Sequence, residues 1–134
     1  MIEAFLVSEN TVATAKGDGP ALDLAAATTR VFLLNLAITN IVEQEALDVS
    51  IQTSADGVTF DSKPVVAFPQ KFYRGETPLL LDLTSKPEVK AIRAHWDVGR
   101  WGRGSETPMF EFCVTLREVP QEIITATASH VSAR

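Results

Sequence analysis

Within nine positions, the stretch WDVGRWGRG (residues 96–104) carries two tryptophans, two arginines and three glycines. Tryptophan and arginine dominate surfaces that grip a partner, because each couples a large contact area to a polar handle. Trp96 shares strand parity with Ile92 and Ala94 and is expected to point into the core. Trp101 has no such slot. Flanked by Arg100 and Arg103, it either stacks beneath a guanidinium that shields its ring or stands exposed as an anchor for a sugar ring or a partner subunit. A second cluster, FPQKFYRG, supplies Phe68, Phe72, Tyr73 and Arg74. If the two loops meet at one end of the fold, they form a basic aromatic contact surface.

The residue types needed for catalysis are scarce. The chain has two histidines, His95 and His130, and one cysteine, Cys113. His95 and Asp97 lie two apart on a strand-like run and share a face, yet no third ligand follows at metal-binding spacing, so no metal is expected. Cys113 sits outward between Glu111 and Thr115, in the position of a passive surface residue more than a nucleophile. No nucleophile elbow, P-loop or dinucleotide fingerprint is present, and the glycines of GRWGRG do not lead from a strand into a helix. We therefore expect neither an enzyme nor a cofactor.

Length and charge narrow the field further. A chain of 134 residues with 46% hydrophobic and 22% charged residues suits one soluble domain with its own core. No apolar run approaches the ~20 residues that span a bilayer, and MIEAFLVSENTVATAK lacks the layout of a signal peptide. With a lone cysteine excluding an internal disulfide, a cytoplasmic location, or a particle assembled in the cytoplasm, is the expectation. A net charge of -5 argues against nucleic acid as a partner. That charge is uneven, with Lys16 and Arg30 set against nine carboxylates in residues 1–62 and eight basic against four acidic residues in 63–104. Such a distribution suits self-assembly.

What must position these residues is a set of strands. Period-two alternation runs through RVFLLNLAITNI, LDVSIQT, VKAIRAHW and PMFEFCVTLRE. It assigns Phe32, Leu34, Leu36, Ile38, Val49, Ile51, Ile92, Trp96, Phe110, Phe112 and Val114 to the core. The outward faces are unusually apolar or small at Val31, Leu33, Ala37, Leu80 and Cys113. Turn signals (KGDGP, SADG, SKP, RGETP, TSKP, GRWGRGSETP) punctuate the runs. The pattern predicts about eight strands, near 3–8, 20–24, 30–41, 46–53, 63–69, 78–83, 89–97 and 109–118, in an all-β antiparallel jelly-roll-like sandwich. DLAAATTR (23–30) is the one short helix candidate, and Ala55-Asp56-Gly57 is expected to form a tight hairpin with Gly57 at positive φ.

The hairpin SIQTSADGVTF followed by VKAIRAHW resembles the discoidin-type, galactose-binding-like jelly rolls over roughly residues 45–118. That resemblance implies a sandwich whose end loops, in many members, bind glycans or lipids, while other members are structural; the disulfide that often ties the family's termini is missing here. FPQKFYRG, LLLDLTSKPEVKAIRAHW and RWGRG together are similar to small uncharacterised bacterial or phage-associated proteins, a likeness that implies no particular activity. The domain is expected to occupy residues 1–119. Residues 120–134 are then either a frayed tail or an assembly arm that extends EIITAT along a neighbour's sheet edge, with Ile123 or Ile124 setting register. The functional expectation is a non-enzymatic, self-associating structural protein, a component of a phage-derived or other large particle whose partner is a second copy or an assembly protein. The alternative is a carbohydrate-binding module that uses the Trp/Arg-rich loop and Tyr73 to hold a glycan.

Overall fold

The computed structural model describes residues 2–42, 45–100 and 109–123, and for Val42, Glu45 and Arg100 the backbone alone. Within them lie nine strands: β1 (Glu3–Ala13), β2 (Gly17–Asp18), β3 (Leu22–Asp23), β4 (Val31–Val42), β5 (Glu45–Ser54), β6 (Val66–Ala67), β7 (Gly75–Asp82), β8 (Ala91–Arg100) and β9 (Met109–Glu118). They form two antiparallel sheets, one in the order β1-β9-β4-β7, the other β2-β8-β5-β6 with β3 also on β8. Each sheet interleaves strands from the two halves of the chain, and of the connections only β2–β3 and β5–β6 stay within one sheet. This is jelly-roll winding, and nearly every ladder joins residues far apart in sequence.

The alternating residues fill the space between the sheets. Phe32, Leu34, Leu36 and Ile38 of β4 meet Phe110, Phe112, Val114 and Leu116 of β9, and across from them lie Leu47, Val49, Ile51, Ile92 and Ala94. Trp96, at the margin of this core, packs edge-on against Phe112, with ring centroids 5.4 Å apart and planes at 81°. Its ring is roofed by Gly17, where an added Cβ would come within 2.9 Å of it. A side chain on Gly17 would therefore displace the tryptophan.

Three local expectations are corrected. The chain after Gly57 does not turn straight back: it rejoins β5 first at Asp61, whose N–H donates to Thr53 O (2.9 Å), and pairs with it as a ladder only at Val66 and Ala67, opposite Ile51 and Ser50. Gly57 does take a positive φ of 83°. The turn is built by side chains instead: Asp56 Oδ1 accepts from the Val58 and Thr59 N–H groups (2.8 Å each), and Ser54 Oγ accepts from Gly57 N–H (2.8 Å). Once Asp56 has captured those amides locally, they are withdrawn from any ladder. Residues 24–30 form a turn and bends with no helix, since Asp23 takes the Ala25 N–H (2.8 Å), Ala27 N–H closes a turn on Leu24 O (3.0 Å) and Glu118 takes the N–H groups that follow. Val31, expected outward, is buried.

Glu118, at the end of β9, is the one charged residue buried in the described core. Its Oε1 accepts from Ile2 N–H (2.9 Å). Its Oε2 accepts from the N–H groups of Thr28 (2.7 Å), Thr29 (2.6 Å) and Arg30 (3.2 Å). Around it, Glu118 N–H donates to Ile2 O, Val119 N–H to Val31 O, and the Thr29 hydroxyl to Val119 O. Arg30 is thereby held at a φ of 61°, and its guanidinium donates to Lys86 O and Val89 O (2.9 Å each). Burial alone would raise the Glu118 pKa, but the backbone donors of Ile2, Arg30, Thr28 and Thr29 outweigh it and hold the carboxyl at about 2, against an ordinary 4.5.

Two outcomes follow. Phe112→Ala removes a fully buried ring and the partner of Trp96, and should cost ~3–5 kcal/mol in denaturant unfolding; a loss under about 1 kcal/mol would place that face elsewhere. Glu118→Gln puts an amide N–H₂ against a row of donors and should cost about 2–3 kcal/mol at pH 7. Because the folded-state pKa is depressed, the carboxylate's contribution is complete above pH 4.5 and lost as pH falls towards 2. The native protein should lose stability between pH 5 and pH 2.5 more steeply than Glu118→Gln, as read by urea unfolding across that range.

Candidate functional site

The outer faces of the two sheets differ in chemistry. On the β2-β8-β5-β6 sheet, the outward residues are polar and pair with one another. Asp18 Oδ1 lies 2.6 Å from His95 Nδ1 and 3.7 Å from the Arg93 guanidinium. Arg93 Nε donates to Gln52 Oε1 (2.8 Å), and the guanidinium rests 4.4 Å from the centre of the Phe60 ring. His95 thus finds its carboxylate on β2, where the sequence had offered Asp97. Asp18 was not legible as a partner because β2 joins β8 only through the fold. Ser50 stands opposite His95 in the β5–β8 ladder, but no hydrogen bond links them, so the row Asp18–His95–Ser50 is not an assembled nucleophile and base. Among the described residues no cluster of three or more His, Cys, Asp or Glu could hold a metal ion.

An open cleft of about 620 Å³ at one end of the sandwich is lined by Leu24, Pro87 and Lys90 together with Asp23, Arg30 and Asp56. The last three already hold backbone groups of the protein itself. Its polar lining is largely occupied with holding loops together.

At the opposite end, residues 71–74 bridge the sheets. Lys71 exchanges two backbone hydrogen bonds with Leu47 (2.8 and 3.0 Å), and Val98 flanks Leu47 on the other side. Phe72 and Tyr73 follow, with ring centroids 6.2 Å apart at 66°, and Tyr73 is 78% exposed. Arg74 is exposed beside Gly75, whereas Phe68, expected in the same surface cluster, is buried in the core. The β8 backbone runs on to Arg100, opposite Glu45, at this same end. Trp101, Arg103 and Ile124 lie outside the described residues. Ile123 is described, and it does not extend a strand: it closes a single helical turn on Pro120 (3.1 Å) and is 55% exposed.

The β1-β9-β4-β7 sheet turns a different surface outward. One cross-strand row reads Glu3, Arg117, Leu33, Leu80, and the next reads Phe5, Thr115, Asn35, Pro78. Phe5 is 46% exposed, Leu33 37% and Leu80 58%. A shallow groove of about 440 Å³ runs over β9 between Phe5 and Leu33, with Thr115 as its floor and Glu3, Asn35 and Arg117 at its margins. Further along the face sit Ala37, Cys113 and the carboxylates of Glu9, Glu76 and Glu111. A strand apolar on both sides is normally covered on both sides; here Val31 is covered on its outer side but Leu33, next on that face, is exposed.

No model of a known protein family matches the chain, and no curated protein matches it. Among the described residues no helix is long and apolar enough to cross a membrane.

Cys113 reports on the apolar face directly. Burial first, then the charges of Glu9 and Glu76, raise its thiol pKa. Its alkylation by iodoacetamide at pH 8 should run at least several-fold slower than that of a free cysteine. A rate matching free cysteine would mean that this part of the face is neither shielded nor acidic.

Proposed function

We propose that this chain is a non-enzymatic assembly module that self-associates through the outer face of its β1-β9-β4-β7 sheet, as a component of a phage-derived or other large particle built in the cytoplasm. The observation that carries the reading is the exposure of Leu33 and Leu80, cross-strand neighbours on β4 and β7, with Phe5 exposed across the β9 groove from Leu33. Scattered apolar residues on a surface mean little, but neighbouring ones on a regular sheet face keep ordered water against hydrocarbon and gain by being covered. Area supports it. Four strands spaced ~4.8 Å apart, over about eight residues rising ~3.3 Å each, present roughly 500 Å² per copy. A pair would bury about 1,000 Å², where specific interfaces begin.

Jelly rolls serve as capsid proteins and as lectins, so the architecture alone does not choose between these roles. One observation favours the second reading, a carbohydrate-binding module. Tyr73 presents nearly its whole ring to solvent, steadied by Phe72, at the end where Arg100 leads towards Trp101 and Arg103. An exposed aromatic ring next to the Arg74 guanidinium is what a sugar ring stacks on.

Light scattering and sedimentation across a concentration series separate the two. The assembly reading expects concentration-dependent association that Leu33→Glu with Leu80→Lys weakens at least tenfold, while unfolding shifts by no more than about 1 kcal/mol because both side chains are exposed. A chain that remains monomeric at every concentration sinks it. Binding to immobilised glycans that disappears with Tyr73→Ala would then establish the alternative.

A further inference from the structure

Sheet edges are the usual place for a foreign strand to add, so the state of the edges decides where a C-terminal arm can dock. The β5 edge is already taken: Thr53 O, Ile51 O and Val49 O accept from Asp61, Val65 and Phe68, and Leu47 pairs with Lys71. The β8 edge is taken by β2 and β3, with Gly19 N–H on Ala94 O and Leu24 N–H on Lys90 O. In the other sheet, β1 is irregular, with register shifts between Phe5 and Val7 and between Val7 and Thr11, and with Asn10 at a φ of 63°. On β7, Pro78 faces Asn35 in the β4 ladder. Lacking an N–H, it must occupy a non-hydrogen-bonded pair, so the missing donor falls on the free edge, between Glu76 and Leu80. Each edge is covered, bent or interrupted.

The face is open where the edges are not. We infer that residues 124–134 of one copy lie across the outer face of the β1-β9-β4 strands of a second copy, seated in the groove between Phe5 and Leu33; this rests on the self-association proposed above. The segment starts at the right place. β9 runs out of the groove at Arg117, Val119 is tied to Val31 O, and the turn at 121–123 leaves Ile123 exposed on its own chain. It is long enough, since eleven residues reach ~35 Å when extended, whereas β9 from Arg117 to Glu111 covers about 20 Å. Its composition fits a shallow trough floored by Thr115: ITATASHVSAR alternates Ile124, Ala126 and Ala128 with threonines and serine.

Charge agrees in sign. The segment has Arg134 and no acidic side chain, while the face beyond the groove carries Glu9, Glu76 and Glu111. The raised thiol pKa of Cys113, in the midst of that face, reflects burial and the first two of those carboxylates. Exchanging one element between identical copies needs no second surface to evolve, which makes it a low-cost route to assembly.

Cys113 is the only cysteine in the chain and therefore a ready probe. Ser129→Cys places a second thiol in mid-arm. Treatment of the full chain with a short bis-maleimide should give a covalent dimer on a denaturing gel, and that product should vanish when Cys113→Ala is combined with Ser129→Cys. Deleting residues 124–134 should weaken association at least tenfold with unchanged thermal unfolding. An intrachain cross-link, seen as a faster-migrating monomer, would overturn the exchange between copies. Arm-dependent association without any Cys113 cross-link would overturn the placement on this face. If the truncated chain associates as tightly as the full one, the arm has no part while the self-association stands; if the full chain is monomeric, both fall together.

Discussion

A single buried carboxylate closes this sandwich. Glu118 ends β9, the strand between β1 and β4, and collects four backbone N–H groups from two other parts of the chain. Those amides belong to the start of β1 and to the bend before β4, segments with no ladder of their own to satisfy them. Left unpaired in a dry environment each would cost free energy comparable to a lost hydrogen bond. A negative charge answers several at once, and each donor in turn compensates its desolvation. The knot therefore sets the entry of β4, and with it the register of the strand that contributes most to the core. It also fixes Arg30 in the left-handed region, whose side chain then pins the 83–90 segment through Lys86 O and Val89 O.

The two outer faces contrast in chemistry. On β8 and β5, outward residues are long and polar and find partners across the ladder: Arg93 with Gln52 and Asp18, His95 with Asp18. On β4, β7 and β1, the outward side chains of Leu33, Leu80 and Phe5 are exposed and apolar and find none of that kind. A molecule with one self-satisfied face and one unsatisfied face is suited to association on one side. The short, covered or proline-interrupted edges point the same way, because they leave face packing as the open route and suppress indiscriminate strand addition.

How much of this could be read in the residues depends on how local the cause is. Side-chain alternation has a period of two regardless of which strands pair, so the inward set from Phe32 to Val114 was legible, as were the cores of β4, β5, β8 and β9 and the excess of apolar residues on the outward side of β4. Gly57's positive φ was legible too, because a turn's backbone demand is met within a few residues. The tight hairpin around it was not, since Asp56 and Ser54 capture the amides that a hairpin would have used. The aromatic loop was legible as a cluster at Phe72, Tyr73 and Arg74, but its place beside the end of β8 comes from Lys71 pairing with Leu47.

Residue order alone thus gives the class: a β chain with alternating strands, an uneven charge and few residues able to do catalysis. What only the tertiary structure decided is which distant residues meet. Asp18 and His95 are 77 positions apart, and Glu118 and Ile2 are 116. In a jelly roll almost every neighbour is of this kind, because each sheet is woven from both halves of the chain. No window of sequence contains both partners, so the latch, the polar pairings of one face and the open apolar groove of the other exist only once the strands have crossed.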